Sequence, residues 1–153
     1  MSLCRQAILV DMASEHQGLV PVIADFTNRL LACNSHRWAG RRLLRTLDEC
    51  LLPRLEPGYQ LASYYPIFEK IAQNETVPQH RLIELLTKQM VSLTKKHGPD
   101  TELKSWSQGS KVVGICRVML KHHHSSHIFL PLSHLLVLTI ESFPDLEVRD
   151  HAR

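Results

Sequence analysis

Apolar residues recur three or four positions apart over most of the chain, with polar residues on the positions between them. This spacing is typical of amphipathic α-helices, and no segment alternates apolar and polar residues as a half-buried strand does. Breaks rich in Pro, Gly, Asn and Ser separate the helical segments. We predict seven helices, over residues 2–14, 19–32, 35–52, 60–72, 78–96, 110–121 and 128–143, and the start of an eighth at Asp145.

The seventh predicted helix is the most apolar, and almost no polar face remains on it. We therefore expect neighbouring elements to cover it on several sides. Pro131 falls in its first turn, where a missing N–H costs nothing, and Pro144 ends it. Asp145 is expected to cap the eighth helix. The apolar residues of the seventh helix are Ile128, Phe129, Leu130, Leu132, Leu135, Leu136, Val137, Leu138, Ile140 and Phe143.

Short corners join these helices into pairs, at spacings compatible with the ~40 to 47 residues of a HEAT or armadillo unit. We predict an all-α fold, a HEAT/armadillo-like α-solenoid segment of paired antiparallel helices, with a compact helical bundle as the alternative. The longest loop is predicted at residues 99–109, with Trp106 closing a repeat junction. Because the eighth helix stops after about two turns, residues 1–153 are expected to be one solenoid segment of a longer chain.

Composition and charge limit the classes of function that are expected for this chain. The chain has 153 residues, of which 44% are hydrophobic and 22% charged, which is ordinary for a globular protein. A net charge of +3 gives no reason to expect a nucleic-acid binder. We expect no signal peptide, and the apolar segments fall short of the ~20 residues that span a bilayer, so a soluble, cytosolic protein is expected. Four cysteines without a Cys-x-x-Cys pair are predicted to be reduced core or near-core residues: Cys4, Cys33, Cys50 and Cys116.

A basic face is predicted on the third helix, where three arginines recur at i, i+4 and i+8. Such a face can bind a phosphoinositide headgroup, a phosphorylated peptide or an acidic partner helix. The alternative, which is more common on exposed helices, is a solvent face partly neutralised by Asp48 and Glu49. The candidate partner-binding residues are Arg37, Trp38, Arg41, Arg42 and Arg45.

Histidines cluster at the corner before the seventh helix, at positions 122, 123, 124 and 127. A histidine cluster can bind a transition metal. Three adjacent histidines cannot all face one ion, however, and specific sites have a defined ligand spacing. We therefore predict a solvated corner and no metal site. The chain also has no Gly-rich phosphate loop and no nucleophile or metalloprotease motif, so we predict that it is not an enzyme and has no cofactor.

The sequence resembles a known family in its second half. Residues 135–138 (LLVL), 144–153 (PDLEVRDHAR) and 111–120 (KVVGICRVML) resemble segments of the large β subunit of adaptor protein complex five. The resemblance is clearest from Trp106 to Arg153 and weak before Pro78.

This resemblance implies an adaptin-type α-solenoid trunk within a heterotetrameric adaptor on late endosomes and lysosomes. The implied function is that of a non-catalytic scaffold segment of a vesicle-coat adaptor. Its partners would be the other adaptor subunits, with indirect, peripheral membrane association, no nucleic acid and no small-molecule substrate. The alternative is a HEAT-like regulatory module that binds an acidic or phosphorylated partner, or anionic lipid, through the basic face.

Overall fold

A computed structural model describes residues 3–95 and 101–142. Within these ranges it contains helices and no strand, which confirms the all-α prediction. The predicted eighth helix and its Asp145 cap lie outside the described residues. The seven α-helices are α1 (Leu3–Glu15), α2 (Val20–Ala32), α3 (Arg37–Thr46), α4 (Tyr65–Gln73), α5 (His80–Lys95), α6 (Thr101–His122) and α7 (Ser126–Ser142).

Short helical turns extend or precede three of these helices. A π-helical turn at Leu47–Leu51 and a 3-10 turn at Leu52–Arg54 continue α3. Other 3-10 turns, at Gln17–Leu19 and Tyr59–Tyr64, lead into α2 and α4. Pro66 lies in the first turn of α4, so it starts that helix and does not kink it.

The helices pack both on their neighbours and on the helix two places along the chain. The most extensive contacts are between α2 and α3, between α4 and α6, and between α5 and α7. Contacts between helices two places apart along the chain are typical of stacked helix pairs in an α-solenoid, and they also occur in a helical bundle. A continuous core connects α1 to α7. Its largest fully buried side chains are Phe68, Leu43, Leu44, Leu47, Leu51, Leu61, Ile67, Ile71, Leu82, Leu86 and Met90.

The α7 helix is covered on one side, and the prediction of several-sided cover is wrong for its described residues. Leu132 and Leu135 are buried, whereas Leu130 is 68% exposed and Val137 49% exposed. Pro131 also lies inside the helix and not in its first turn. The helix begins earlier than predicted because the Ser125 hydroxyl accepts a hydrogen bond from the His127 N–H and so caps it.

Three other predicted boundaries are wrong. The predicted loop over residues 99–109 is helical from Thr101 onwards, because α6 continues through Gly109. The α3 helix begins at Arg37 without a capping hydrogen bond from Ser35, whose hydroxyl oxygen instead lies 3.2 Å from the sulfur of Cys33. The α5 helix begins at His80, two residues after Pro78. The side chain of Trp106 lies outside the described part of the chain.

The cysteines differ in burial, so the prediction that all of them are core or near-core residues is wrong for two. Cys116 is buried in α6, and burial raises the pKa of its thiol to about 12. Cys33 and Cys50 are exposed, and both were wrongly predicted to be core or near-core residues. The Cys4 side chain is outside the described residues.

A glycine sets the distance between α2 and α3. A Cβ atom built on Gly40 would lie 2.9 Å from two side-chain carbons of Leu31 and 3.1 Å from its backbone nitrogen. The backbone nitrogen of Leu31 belongs to α2 and its Cγ atom lies close to that backbone. The two helices therefore have to separate to admit a methyl group. The buried face of α3 therefore lies closer to α2 at this position than a side chain larger than that of glycine would allow.

A buried amide connects three separate parts of the chain. The Gln89 side chain of α5 accepts a hydrogen bond from the Gly58 N–H at 2.7 Å and donates one to the Gly58 carbonyl at 2.9 Å. It also donates to the side-chain amide oxygen of Gln108 in α6 at 2.9 Å. Gln89 therefore holds the loop before the 3-10 turn at residues 59–64 against both α5 and α6.

No helix in the described ranges is both long enough and apolar enough to span a membrane.

Replacing Gly40 by alanine should destabilise the chain. Overpacking at a close helix contact costs about 1–3 kcal/mol, which exceeds the gain in helix propensity of about 1 kcal/mol. The matched control is Gly114→Ala in α6, where the added methyl group meets no atom within 4 Å. There the free energy of unfolding should rise by about 0.5–1 kcal/mol. Denaturant unfolding measures both variants, and an equal gain in both would contradict the close contact.

Replacing Gln89 by leucine should destabilise the chain by roughly 2–4 kcal/mol, because it leaves the Gly58 peptide groups and Gln108 without their partner. The control is Gln73→Leu at the exposed end of α4, which should change the free energy of unfolding by less than about 0.5 kcal/mol. Equal unfolding midpoints for the two variants would contradict the role of Gln89.

Candidate partner-binding surface

The α3 helix has one apolar and one cationic face. The buried residues on the apolar face are Ala39, Gly40, Leu43 and Leu44. Because α2 packs on this apolar face, the cationic face of α3 is directed away from α2. The residues on the outer face recur at i, i+3, i+4 and i+7, which places them along one stripe of the helix. We call this stripe the arginine seam; it consists of Trp38, Arg41, Arg42 and Arg45, all exposed.

The arginine seam forms one wall of a shallow depression of about 520 Å³. The other residues that line it are Thr46, Glu49 and Thr76. The Arg45 guanidinium donates a hydrogen bond to the Thr76 carbonyl at 3.2 Å, which connects α3 to the turn after α4. Trp38 is 54% exposed, so most of its indole ring is in contact with solvent.

Arg37 is separate from this surface, although the sequence predicted it to belong there. Its guanidinium donates hydrogen bonds to the Leu31 carbonyl at 3.2 Å and to the Asn34 side-chain oxygen at 2.9 Å. It does not line the depression. A basic side chain that binds the last carbonyls of a helix satisfies groups without an internal partner, so Arg37 stabilises the end of α2.

No arginine of the seam forms an ion pair within the part of the chain that the structure describes. The ion pairs found there are Arg29–Asp25, Arg54–Asp11, Arg81–Asp48 and Lys88–Glu84. None includes an arginine of the seam. Glu49 lines the depression, but it forms no ion pair among the described residues.

Asp48 does not neutralise the seam as predicted. Its side chain is fully buried, and one carboxylate oxygen accepts a hydrogen bond from Arg81 of α5 at 2.9 Å. The other oxygen has no hydrogen-bond partner among the described residues. Burial raises the pKa of Asp48, and the hydrogen bond from Arg81 opposes this effect only in part. Asp48 lies in the π-helical turn, whose wider spacing departs from the α-helical positions assumed in the prediction.

The histidine corner is only partly solvated. His123 is buried, and its Nε2 atom lies 3.0 Å from the Ala72 carbonyl at the end of α4. Burial lowers the pKa of His123, so the folded chain favours the neutral ring. His124 and His127 are exposed, and His127 lines a groove of about 330 Å³. Among the residues described, no three His, Cys, Asp or Glu side chains are placed so that they could hold one metal ion.

Part of the surface was accessible to sequence reasoning. Thr46 and Glu49 follow Arg42 and Arg45 by four residues, so helical spacing alone could have added both. Thr76 comes 31 residues after Arg45 in the sequence. No local pattern predicts that contact, because it depends on how α3 packs against the turn after α4.

The stability of wild-type protein relative to Asp48→Asn should fall as pH rises. The pKa of Asp48 lies above its ordinary value of 3.8 in the folded state, so the folded chain holds this proton more tightly than the unfolded chain. The contribution of Asp48 is then fully present below 3.8 and is lost as pH rises through the folded-state pKa.

Urea unfolding of both proteins from about pH 3 to about pH 7 measures this difference. The exposed Asp25→Asn is the matched control for removing one carboxylate. A wild-type advantage that grows with pH would contradict the predicted direction.

Comparison with known proteins gives the family of the chain. A search of curated proteins and a search of solved structures found no significant match. The family described as "AP5B1, middle domain" matches residues 2–153, and so includes the region before residue 78 where the resemblance was weak. The chain therefore belongs to the AP5B1 middle-domain family, a segment of the β subunit of adaptor complex 5.

Proposed function

We propose that the chain is a non-catalytic scaffold segment in the trunk of an adaptor complex, where it positions other subunits. The observation that supports this proposal is the family match over residues 2–153. An adaptor subunit acts by assembly with other subunits, so the relevant property of this segment is the shape and chemistry of its surface.

The packing of the segment suits such a role. Fully buried side chains from α1 through α7 form one core, so each helix is held by its neighbours. The outer faces remain available for other chains, because a stack of helices needs only its inner faces for stability. Exposed apolar side chains on α7, including Phe129 and Leu130, lie on such an outer face.

The finer parts of the proposal concern the assembly and its place in the cell. The partners would be a second large subunit, a medium subunit and a small subunit of a heterotetramer. The complex would take part in vesicle-coat traffic at late endosomes and lysosomes, on the cytoplasmic side. Membrane association would be peripheral and would depend on the assembled complex.

Affinity purification of the tagged full-length subunit should recover the other three adaptor subunits in comparable amounts. Fractionation of the same cells should place part of this complex with late endosomal and lysosomal markers. Recovery of none of the three subunits would contradict the assembly, whereas their recovery without these markers would contradict only the location.

The contribution of this segment is measured by two matched variants of the full-length subunit. Phe68→Ala removes a fully buried ring, which costs about 3–5 kcal/mol, and should reduce the recovery of the other subunits. Phe26→Ala on α2 removes a ring that is 38% exposed and is the control for loss of a phenyl group. Full recovery with Phe68→Ala, in protein whose increased sensitivity to protease shows that the segment has opened, would show that assembly does not need this segment to be folded.

A further inference from the structure

We infer that the arginine seam binds an acidic α-helix of a partner protein. The inference rests on the proposed function, because it gives the chemistry of one partner that an adaptor scaffold would hold. It depends on three observations: the spacing of the seam, its uncompensated charge and the position of Trp38.

The spacing of the seam matches that of a helix–helix contact. Trp38, Arg41, Arg42 and Arg45 follow the i, i+3, i+4, i+7 pattern with which apolar residues form the contact stripe between two helices. Residues four positions apart are separated by ~6 Å along a helix axis. Carboxylates at the same spacing on a facing helix would therefore meet successive arginines of the seam.

The chemistry of the seam favours carboxylates. A guanidinium group presents a planar set of donors that can bind both oxygens of a carboxylate. Arg41 and Arg42 have no ion-pair partner among the described residues, and Arg45 is bound only to the neutral Thr76 carbonyl. The seam thus has donors directed outward in a depression of about 520 Å³ that is open to a ligand.

Trp38 adds an apolar contact at one end of the seam. An exposed indole ring next to arginines is the combination that most often supplies binding energy at protein interfaces. A facing helix would place an apolar residue against this ring, one turn from the acidic residue that faces Arg41 or Arg42. The partner sequence would then combine regularly spaced glutamates or aspartates with one large apolar residue.

A protein helix fits this surface better than a membrane does. A lipid headgroup layer is fluid, so it does not hold its phosphates at a fixed spacing as a facing helix holds its carboxylates. Glu49 lines the same depression and would repel lipid phosphates. A facing helix can instead place a polar or basic residue opposite Glu49, because its side chains differ from one turn to the next.

The test uses the full-length subunit and a fluorescent helical peptide with a leucine at i and glutamates at i+4 and i+8. Fluorescence anisotropy should detect binding that weakens as salt is added, since the contact is ionic. A scrambled peptide of the same composition should bind more weakly. Arg41→Glu with Arg42→Glu should weaken binding roughly tenfold or more, and Trp38→Ala about fivefold.

The matched control is Lys111→Glu with Lys121→Glu, which makes the same charge change on exposed positions of α6 and should alter affinity by less than about twofold. Arg41→Gln with Arg42→Gln provides a milder variant if charge reversal disturbs folding. Equal binding of the scrambled peptide, or equal losses in the two charge-reversal variants, would overturn the inference.

Vesicles with phosphatidylserine provide the second arm. Seam-dependent binding to these vesicles without binding to the helical peptide would overturn the acidic-helix partner in favour of a membrane. Recovery of the other adaptor subunits by the same variants reports separately on the scaffold role. Normal recovery with no seam-dependent peptide binding would reject this inference and leave the proposed function intact.

Discussion

The close contact of α2 and α3 at Gly40 determines which face of α3 is exposed, and so where the arginine seam lies. A side chain at that position would have to displace the Leu31 backbone, so only glycine lets the two helices approach this closely. Once the apolar face of α3 lies against α2, the stripe from Trp38 to Arg45 has to face outward. Arg37 fixes the start of the same helix through the Leu31 carbonyl. Packing and surface chemistry are therefore determined by one contact.

Buried polar groups give the leucine-rich core a specific arrangement. Leucines alone tolerate several packings, whereas a buried amide or carboxylate is stable only where its partners are placed. Gln89 fixes the loop at Gly58 between α5 and α6. Asp48 fixes the turn after α3 against Arg81, although burial of its charge opposes folding at neutral pH. The two residues hold α5 at two points, its first turn at Arg81 and its middle at Gln89.

Helical spacing predicted seven helices because each has to bury one face, but it could not predict the partners of that face. The outer residues of α7 were expected to be covered because they are apolar, yet Leu130 is mostly exposed. Asp48 was placed beside the arginines because the π-helical turn has no signature in the sequence. Four of the five candidate residues lie together on one face of α3 because they share its helical spacing, whereas Arg37 stabilises the end of α2.

The arrangement of charge on α3 is unfavourable for this segment alone. Like charges at i and i+4 destabilise a helix by about 0.2–0.5 kcal/mol per pair, and Arg41 and Arg45 of the seam form such a pair. A carboxylate at a neighbouring exposed position would relieve this repulsion, but Asp48 is buried and Glu49 forms no ion pair in the described ranges. The stability of the folded segment therefore does not explain why the arginines of the seam lie together. Binding to a negatively charged partner would explain it, because the repulsion between the arginines would be replaced by attraction across an interface.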